Sequence, residues 1–255
     1  MKDYTKDGIT YCGKCNEPKE KILLDGYGAT IKPHIMCKCE REEEEARKSE
    51  EERRRFKEEI ERSRQVCFES KEQMKFTFEK DDKSNEISKI AKNYADKFEE
   101  LKNTGLVFYG TVGTGKTFSA CCIANELIDR GYTCLVTTFP KIVNEMQSTF
   151  NKQEYIDRLI DFDLLIIDDL ASERRTEYMD EMVMNVIDSR YRNGKPVIIT
   201  TNLTAEEMEY TEDMNRKRIY SRLYEMCIFY EVKGNDRRMS KQKEYKKILE
   251  ELKNE

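Results

Sequence analysis

The chain has 255 residues, of which 38% are charged and 38% are hydrophobic, and its formal net charge is -5 at pH 7. The negative charge gives no global signal for nucleic-acid binding, no apolar run reaches the length of a membrane span, and the amino-terminal segment lacks the apolar core of a signal peptide. We therefore expect a cytoplasmic protein without a membrane partner, built from one mid-sized domain and a smaller module.

The first 39 residues carry two close pairs of cysteines, Cys12/Cys15 and Cys37/Cys39, on either side of a strand-like segment. A Cys-x-x-Cys turn that contains Gly lets both thiolates face one ion, and the second pair is one residue tighter. Together the pairs predict a closed, structural Zn²⁺ site that stabilises a piece too small for a core of its own. His34 is an alternative ligand, and a redox dithiol is the alternative for Cys12 and Cys15.

Residues 40–73 form the second predicted segment, a charged helix followed by a linker. From Glu40 to about Gln65 the chain is almost wholly Glu, Arg and Lys, with many Glu-to-base pairs four residues apart. Few apolar residues lie on any face, so the helix buries little of itself. The pattern predicts a solvated helix about 39 Å long that acts as a spacer or a partner-binding arm.

Short apolar strands alternate with helices over residues 74–240, after an amphipathic helix predicted at 85–101. The predicted strands are Leu106–Tyr109, Thr133–Thr137, Leu164–Ile167, Val197–Thr201 and Ile228–Val232, and the helices between them start near Lys116, Pro140, Thr176 and Asp213. This alternation predicts an α/β fold in which a parallel sheet lies between helices. A charged helix is predicted for residues 241–255.

The first strand-to-helix connection fits the phosphate-binding loop Gly-x-x-x-x-Gly-Lys-Thr of P-loop NTPases. Its backbone N–H groups and the following helix N-terminus favour a phosphate. Lys116 would reach the β- and γ-phosphates of ATP, and the hydroxyl of Thr117 would bind Mg²⁺. The predicted ATP-binding residues are Gly110, Thr111, Val112, Gly113, Thr114, Gly115, Lys116, Thr117 and Phe118.

Polar residues follow two of the other predicted strands. Asp168 and Asp169 end a buried strand, which places two carboxylates beside the phosphate loop. Asp168 would bind Mg²⁺ and Asp169 would polarise the attacking water. Asn202, at the tip of the next strand, would orient that water or sense the γ-phosphate, with Thr201 as an alternative.

Two arginine-rich stretches follow in the last part of the domain. Arg222, with Arg218 as second choice, is predicted to stabilise the transition state at a neighbouring copy's nucleotide, unless this helix is only a solvated basic face. Arg238, preferred over Arg237, is predicted to contact the γ-phosphate within its own chain.

This set of motifs, in this order, resembles the AAA+ ATPases of the DnaC/IstB group, which includes bacterial and phage replicative-helicase loaders. The resemblance covers roughly residues 74–240, and the matching segments are Gly105–Thr117, Asp163–Leu170, Arg190–Pro196, Thr200–Leu203 and Arg218–Leu223. The pairing of Arg190–Pro196 with Thr200–Leu203 is more specific to this group than the nucleotide motifs. Ala171 departs from the Gly that many relatives have after the two acids.

The resemblance implies an ATP- and Mg²⁺-dependent ATPase that is slow and switch-like, and that associates with itself through the region around Arg222. It implies that the amino-terminal module binds a replicative hexameric DNA helicase. It also implies contact with single-stranded DNA at Phe139, Thr176 and Tyr178, unless these side chains pack locally. The alternative function is that of an IstB-like ATPase acting with a transposase on duplex DNA.

Overall fold

The computed structural model describes residues 2–81, 85–170 and 177–237, together with residues 242, 245, 246, 249, 250, 252 and 253. The chain divides into two compact units, residues 1–59 and residues 60–255. None of the helices within the described ranges is both long enough and apolar enough to cross a membrane. The predicted domain boundaries after residues 39, 73 and 240 stay predictions.

Two short antiparallel hairpins lie in the first unit. They are formed by β1 (Tyr4–Lys6) with β2 (Ile9–Tyr11) and by β3 (Leu23–Leu24) with β4 (Thr30–Ile31). Asp7 and Gly8 join β1 to β2, and both have positive φ (49° and 74°), which suits the tight turn of a two-residue hairpin. The sequence pattern predicts strands near β3 and β4 but not the first hairpin, because its strands are short and polar.

A single charged helix, α1 (Lys38–Cys67), follows the hairpins and has 30 residues, about 45 Å at 1.5 Å per residue. The predicted pairs Glu44–Lys48 and Glu51–Arg55 are present, at 3.7 Å and 2.6 Å. Other charges on the helix pair with different partners from those the spacing suggests. Such exposed pairs contribute little stability, so the helix depends mainly on the helix-forming tendency of Glu, Arg and Lys.

The second unit alternates strands and helices, as the sequence predicts. After two 3-10 turns (Gln73–Lys75 and Phe78–Lys80), its elements are α2 (Glu86–Asp96), α3 (Phe98–Leu101), β5 (Gly105–Tyr109), α4 (Lys116–Asp129), β6 (Cys134–Thr138), α5 (Phe139–Ser148), α6 (Lys152–Asp161), β7 (Leu164–Asp168), α7 (Glu177–Arg192), β8 (Val197–Thr201), α8 (Ala205–Glu209), α9 (Met214–Met226) and β9 (Cys227–Glu231). The helix predicted for 241–255 falls on a stretch in which only the seven residues named above are described, and all seven are helical.

The five strands of this unit form one parallel sheet with the order β6-β7-β8-β5-β9. Because all strands run the same way, the residues that follow β5, β7 and β8 emerge at one edge of the sheet. The register places Tyr109 opposite Thr201 and Ile167 opposite Ile199. The phosphate loop, the acidic pair and the tip of β8 are therefore neighbours.

Buried side chains cover both faces of the sheet, which explains why its strands are mostly apolar up to their carboxyl ends. Leu165 and Ile167 pack with α5, α6, α7 and α9 on one face, whereas Leu164 and Ile166 pack with α2 and α4 on the other. Alternate residues of one strand point to opposite faces of the sheet, so each strand supplies apolar side chains to the helices on both faces. The AAA+-type fold predicted from the sequence, with its parallel sheet among helices, is confirmed.

Candidate functional site

The phosphate loop connects β5 to α4 in a conformation that requires glycine. Gly113 and Gly115 have φ of 78° and 99°, and a Cβ atom on Gly113 would lie 1.9 Å from Oδ1 of Asp236. A side chain at either position would strain or block the loop. The loop therefore curves over the N-terminus of α4, and the first backbone N–H groups and the dipole of a helix favour an anion.

Lys116, the first residue of α4, is held inside this loop. Only 7% of the residue is exposed, and its Nζ donates hydrogen bonds to the carbonyl oxygens of Gly110 (2.8 Å) and Thr111 (2.7 Å). The hydroxyl of Thr114 donates to Thr111 as well, at 3.0 Å, and so ties the loop together. The ammonium group is thus placed within the loop that would surround a phosphate.

Asp168, the last residue of β7, lies at hydrogen-bond distance from two hydroxyl groups. Thr117 Oγ1 donates to its Oδ1 at 2.8 Å, and Thr200 Oγ1 donates to the same oxygen at 2.6 Å. A hydroxyl and a carboxylate oxygen this close are the hard oxygen ligands that Mg²⁺ prefers. The residues predicted to bind Mg²⁺ are therefore brought together, and Thr200, to which the sequence assigned no role, is an additional partner of Asp168.

Asp169 and Asn202 also meet at this edge of the sheet. Asp169 has a positive φ of 57°, its backbone N–H donates to Thr200 Oγ1 at 2.9 Å, and its carboxylate accepts a hydrogen bond from Nδ2 of Asn202 at 3.0 Å. Thr201, the alternative to Asn202, is buried, and its hydroxyl donates to the carbonyl oxygen of Leu170 at 2.5 Å. Asn202, and not Thr201, is placed beside the predicted water-polarising acid.

A cavity of about 720 Å³ lies at this edge of the sheet. Its lining residues are Phe76, Lys80, Val112, Gly113, Gly115, Lys116, Thr117, Phe118, Asp168, Asp169, Thr200, Asn202 and Arg237. Phe76 and Lys80 lie in a stretch whose sequence shows no helix or strand pattern, and only the folding of the chain brings them to the phosphate loop. The rings of Phe76 and Phe118 lie 5.0 Å apart and form an apolar wall of the cavity.

The two arginines proposed as γ-phosphate contacts have different outcomes. Arg238 lies outside the described residues. Arg237 lines the cavity, its backbone N–H donates to the carbonyl oxygen of Gly113 at 3.0 Å, and its guanidinium lies 3.7 Å from Asp81. Arg237, the second choice from the sequence, is thus an arginine that lies at the phosphate loop within the described part of the chain.

Arg222 lies on α9 and is not among the residues that line this cavity. Its guanidinium bonds Glu225 (2.7 Å) and Asp188 (3.1 Å), and it lies 4.2 Å from the centroid of the Tyr191 ring. Arg218 is exposed, and no ion pair joins it to another residue in the described parts of the chain. Because neither arginine lines the cavity described above, either one would contact a nucleotide only in another copy of the chain.

The three residues predicted to contact single-stranded DNA also differ. Phe139, the first residue of α5, is 3% exposed and packs in the core, so its ring is covered and offers no face to a base. Thr176 lies outside the described residues. Tyr178 is exposed, and Nζ of Lys152 lies 5.2 Å from its ring centroid and donates to its hydroxyl at 2.9 Å. Of the three, only Tyr178 is seen at the surface.

The four amino-terminal cysteines form a second candidate site. The sulfur atoms of Cys12, Cys15, Cys37 and Cys39 all lie within 4.8 Å of one another. Four thiolates bound to Zn²⁺ at 2.3 Å stand about 3.8 Å apart, so the cluster fits a tetrahedral zinc ion with small adjustments. His34 is outside this cluster, and its Nε2 lies 3.4 Å from Glu40.

Local hydrogen bonds and burial shift the pKa values of two of these thiols in opposite directions. The backbone N–H groups of Cys39 and Glu17 lower the pKa of Cys15 to about 6. The neighbouring Cys15 thiol and burial raise the pKa of Cys39 to about 12. A thiol cluster with one readily formed thiolate is suited to metal binding, because a bound cation favours loss of the remaining protons.

The beginning of α1 is tied to the cysteine module through charged side chains. The carboxylate of Glu17 accepts hydrogen bonds from the backbone N–H of Lys38 (2.7 Å) and from Arg41 (3.2 Å). Lys19 pairs with Glu40 at 2.7 Å. Since Cys37 and Cys39 flank the first residue of this helix, the same contacts fix two of the four sulfur atoms.

Comparisons with known proteins agree with ATP binding at the phosphate loop. The model of the family described as IstB-like ATP binding protein matches residues 39–245. The replicative helicase loader DnaI of Bacillus subtilis is 26% identical over 153 residues, which are 55% of this chain and 49% of DnaI. The replicative helicase loader DnaC of Escherichia coli K12 is 31% identical over 129 residues, 49% of this chain and 52% of DnaC.

The fold is also found in a solved structure. The crystal structure of DnaI superimposes with a TM-score of 0.58 at 23% identity, covering 69% of this chain and 99% of that one. At this identity the likeness shows the fold alone. The chain spans about half the length of the curated relatives it matches.

Proposed function

Because the chain belongs to the IstB-like ATP-binding protein family, we propose that it loads a replicative DNA helicase during DNA replication, with ATP as the switch. The similar proteins DnaI and DnaC are named replicative helicase loaders, which supports this choice of process. The observation that carries the proposal is the meeting of Lys116, Thr117, Asp168, Asp169 and Asn202 around a single cavity, in a chain of this family.

The proposed chemistry is Mg²⁺-dependent hydrolysis of ATP. The phosphate loop and Lys116 bind the phosphates, while Thr117 and Asp168 supply oxygen ligands to Mg²⁺. Asp169 polarises the attacking water, and its contact with Asn202 holds the carboxylate in place. Arg237 contributes a cation from the same chain, in the role first assigned to Arg238.

We assign helicase binding to the amino-terminal module and Zn²⁺ to its four cysteines. A zinc ion with four thiolate ligands has no open position, so it is structural and takes no part in catalysis. Residues 1–39 thus serve as the binding module, 40–73 as the helix and linker, 74–240 as the ATPase and 241–255 as a terminal helix. ATP would control how tightly the module holds the helicase, with slow turnover.

Self-association places Arg222 of one copy at the nucleotide of the next. Its contacts with Asp188, Glu225 and Tyr191 hold the guanidinium in one position on α9, and such an ordered cation reaches a partner's phosphate with little loss of side-chain entropy. Single-stranded DNA is assigned to the surface around Tyr178, whose ring stacks a base while Lys152 meets a phosphate.

The transposition alternative is not favoured, because the similar proteins described above are helicase loaders. A pull-down tests the proposal directly. The full-length chain should co-purify with its cognate hexameric helicase in the presence of ATP-Mg²⁺ or ADP-Mg²⁺. Absence of co-purification in both nucleotide states, together with ATP-dependent filaments on duplex DNA, would overturn the loader assignment in favour of the alternative.

A further inference from the structure

The second hairpin of the amino-terminal unit exposes an unusual set of apolar side chains. They are Ile22, Leu23, Leu24, Tyr27, Ile31 and Met36, and we call them the hairpin patch. Leu24 is 72% exposed and Tyr27, at the tip, is 98% exposed. Several exposed apolar side chains concentrated on a small module are a common mark of an interaction site.

The turn that presents Tyr27 is ordered by a single carboxylate. Oδ1 of Asp25 accepts hydrogen bonds from the backbone N–H groups of Tyr27 (2.9 Å) and Ala29 (2.8 Å). Two backbone bonds close the same turn, from Asp25 to Ala29 (2.8 Å) and from Gly28 to Asp25 (3.1 Å). A tyrosine held at the apex of such a turn loses little entropy on binding, which is how an anchor residue acts.

The charges of the module favour a protein partner over a nucleic acid. Residues 1–39 contain seven lysines and five acidic residues, and a zinc ion with four thiolates adds two negative charges, so the module is close to neutral. Phosphate-rich surfaces are bound chiefly through an excess of positive charge. Branched aliphatic side chains such as Ile22 and Leu24 also fit an apolar protein pocket better than a stack of bases.

The rim of the hairpin patch carries two lysines and two carboxylates. Lys21 and Lys32 stand at the base of β3 and β4 and are exposed. Lys32 and the nearby carboxylates are bonded within the module. Nζ of Lys32 donates to the carbonyl oxygen of Gly8 at 2.6 Å, Asp25 accepts the two turn N–H groups, and Glu20 accepts the backbone N–H of Thr10 at 2.9 Å. A complementary surface is therefore an apolar pocket with a carboxylate at its edge to meet the Lys21 ammonium group.

We propose that the hairpin patch is the grip of this chain on the replicative helicase, with Tyr27 inserted into an acid-rimmed apolar pocket of a helicase subunit. The inference rests on the proposed loader function, and it adds the surface, its anchor and the chemistry of the partner site. The zinc site supports the hairpin from within the same unit but does not touch the partner.

The test measures the affinity of the full-length chain for its cognate hexameric helicase in ATP-Mg²⁺. Tyr27→Ala should weaken binding at least tenfold, because truncation removes the anchor. Asp25→Ala should weaken it at least threefold by loosening the turn, whereas Asp25→Asn keeps a carbonyl acceptor and should stay within twofold of wild type. Tyr210→Ala removes an equally conspicuous tyrosine, 74% exposed on the ATPase unit, and should bind as wild type does.

Zinc content near one equivalent in each variant shows that the module is folded. If Tyr27→Ala binds the helicase with wild-type affinity, the hairpin patch is not the helicase-binding surface, but the loader function stands. Failure of wild type itself to bind the helicase overturns both. Two other outcomes in Tyr27→Ala, each with unaltered helicase affinity, would also overturn the proposal. Loss of binding to phosphatidylglycerol vesicles would assign the patch to a lipid surface, and a change in the chain's own oligomeric state would assign it to a second copy.

Discussion

At the carboxyl edge of the sheet, the hydroxyl of Thr200 connects the two acidic residues that follow one another at the end of β7. It donates to the Asp168 carboxylate at 2.6 Å and accepts the backbone N–H of Asp169 at 2.9 Å. Asp169 has a left-handed backbone, φ 57°, which costs energy for a residue other than glycine. Thr200 therefore orients one carboxylate and holds the backbone of the other.

Replacement of Thr200 distinguishes the role of its hydroxyl group from the packing of its side chain. Thr200→Val keeps the shape but removes the hydroxyl, and we expect the Mg²⁺ concentration for half-maximal ATP hydrolysis to rise about tenfold, as is usual when a partner of a metal-binding carboxylate is lost. Thr200→Ser restores a hydroxyl and should behave like wild type. Magnesium titrations of ATPase activity provide the measurement, and an unchanged midpoint in Thr200→Val would show that Asp168 is oriented by other groups.

At this scale the sequence predicted the cavity residues that belong to motifs and missed those brought in by the fold. Lys116, Thr117, Asp168 and Asn202 follow from spacing, because parallel strands end at a common edge. Phe76 and Lys80 come from a segment without periodicity and reach the cavity only through tertiary structure. The pairing of Arg222 with Asp188 could not be foreseen either, since Asp188 lies on a different helix, α7.

Among the elements, a buried arginine joins three parts of the ATPase unit. Arg190 on α7 has no exposed surface, and its guanidinium donates to the carbonyl oxygens of Leu159, Phe162, Asp163 and Pro196 at 2.6–3.3 Å. Burial lowers its pKa to about 10, so it remains charged at neutral pH. These bonds tie the end of α6 and the residues before β7 and β8 to one side chain.

Removal of this cation should destabilise the ATPase unit strongly. Arg190→Met leaves four buried carbonyl groups without their donor, and we expect the free energy of unfolding to fall by about 3 kcal/mol or more. Arg192→Met is the matched control, because Arg192 is exposed and pairs with Asp188 on the surface, where about 0.5 kcal/mol is expected. Urea unfolding followed by circular dichroism gives both values, and similar losses in the two variants would contradict this role.

The elements themselves were predicted well where hydrophobic patterning is strong. The five strands of the sheet begin and end within about one residue of their predicted bounds, because continuous apolar runs between polar turns leave little choice. The helix predicted over 85–101 is divided at Lys97, where Phe98 turns to pack its ring against Tyr94 and Tyr132. Helix α6 was missed because its apolar positions are few and its Asn151 cap is a local signal.

For the whole molecule, two sites with unrelated chemistry lie in separate compact units. The four cysteines belong to residues 1–59, and the phosphate loop belongs to residues 60–255. A zinc ion would stabilise a piece that has little core of its own, whereas two hydrophobic clusters stabilise the ATPase unit. Loss of the metal should therefore affect one unit and leave nucleotide binding in the other.

Substitution at the cysteine cluster tests this independence. Cys12→Ser should lower bound zinc below one equivalent and weaken helicase binding, with ATP affinity unchanged. His34→Ala should retain one full equivalent, since His34 is outside the cluster. Metal analysis and calorimetry supply the two readings. Full zinc in Cys12→Ser, or loss of zinc in His34→Ala, would refute the four-cysteine assignment.

The central claim is that the nucleotide at the phosphate loop controls the grip of the chain on a replicative helicase, and its most direct test is the helicase affinity in ATP-Mg²⁺ and in ADP-Mg²⁺. Coupling between two ligands commonly amounts to 5–150-fold, and we expect the wild-type affinities to differ about tenfold. Lys116→Ala, which removes the ammonium group from the phosphate loop, should abolish ATP binding and show one affinity in both conditions. Equal wild-type affinities in the two nucleotide states, with nucleotide binding verified, would contradict the claim.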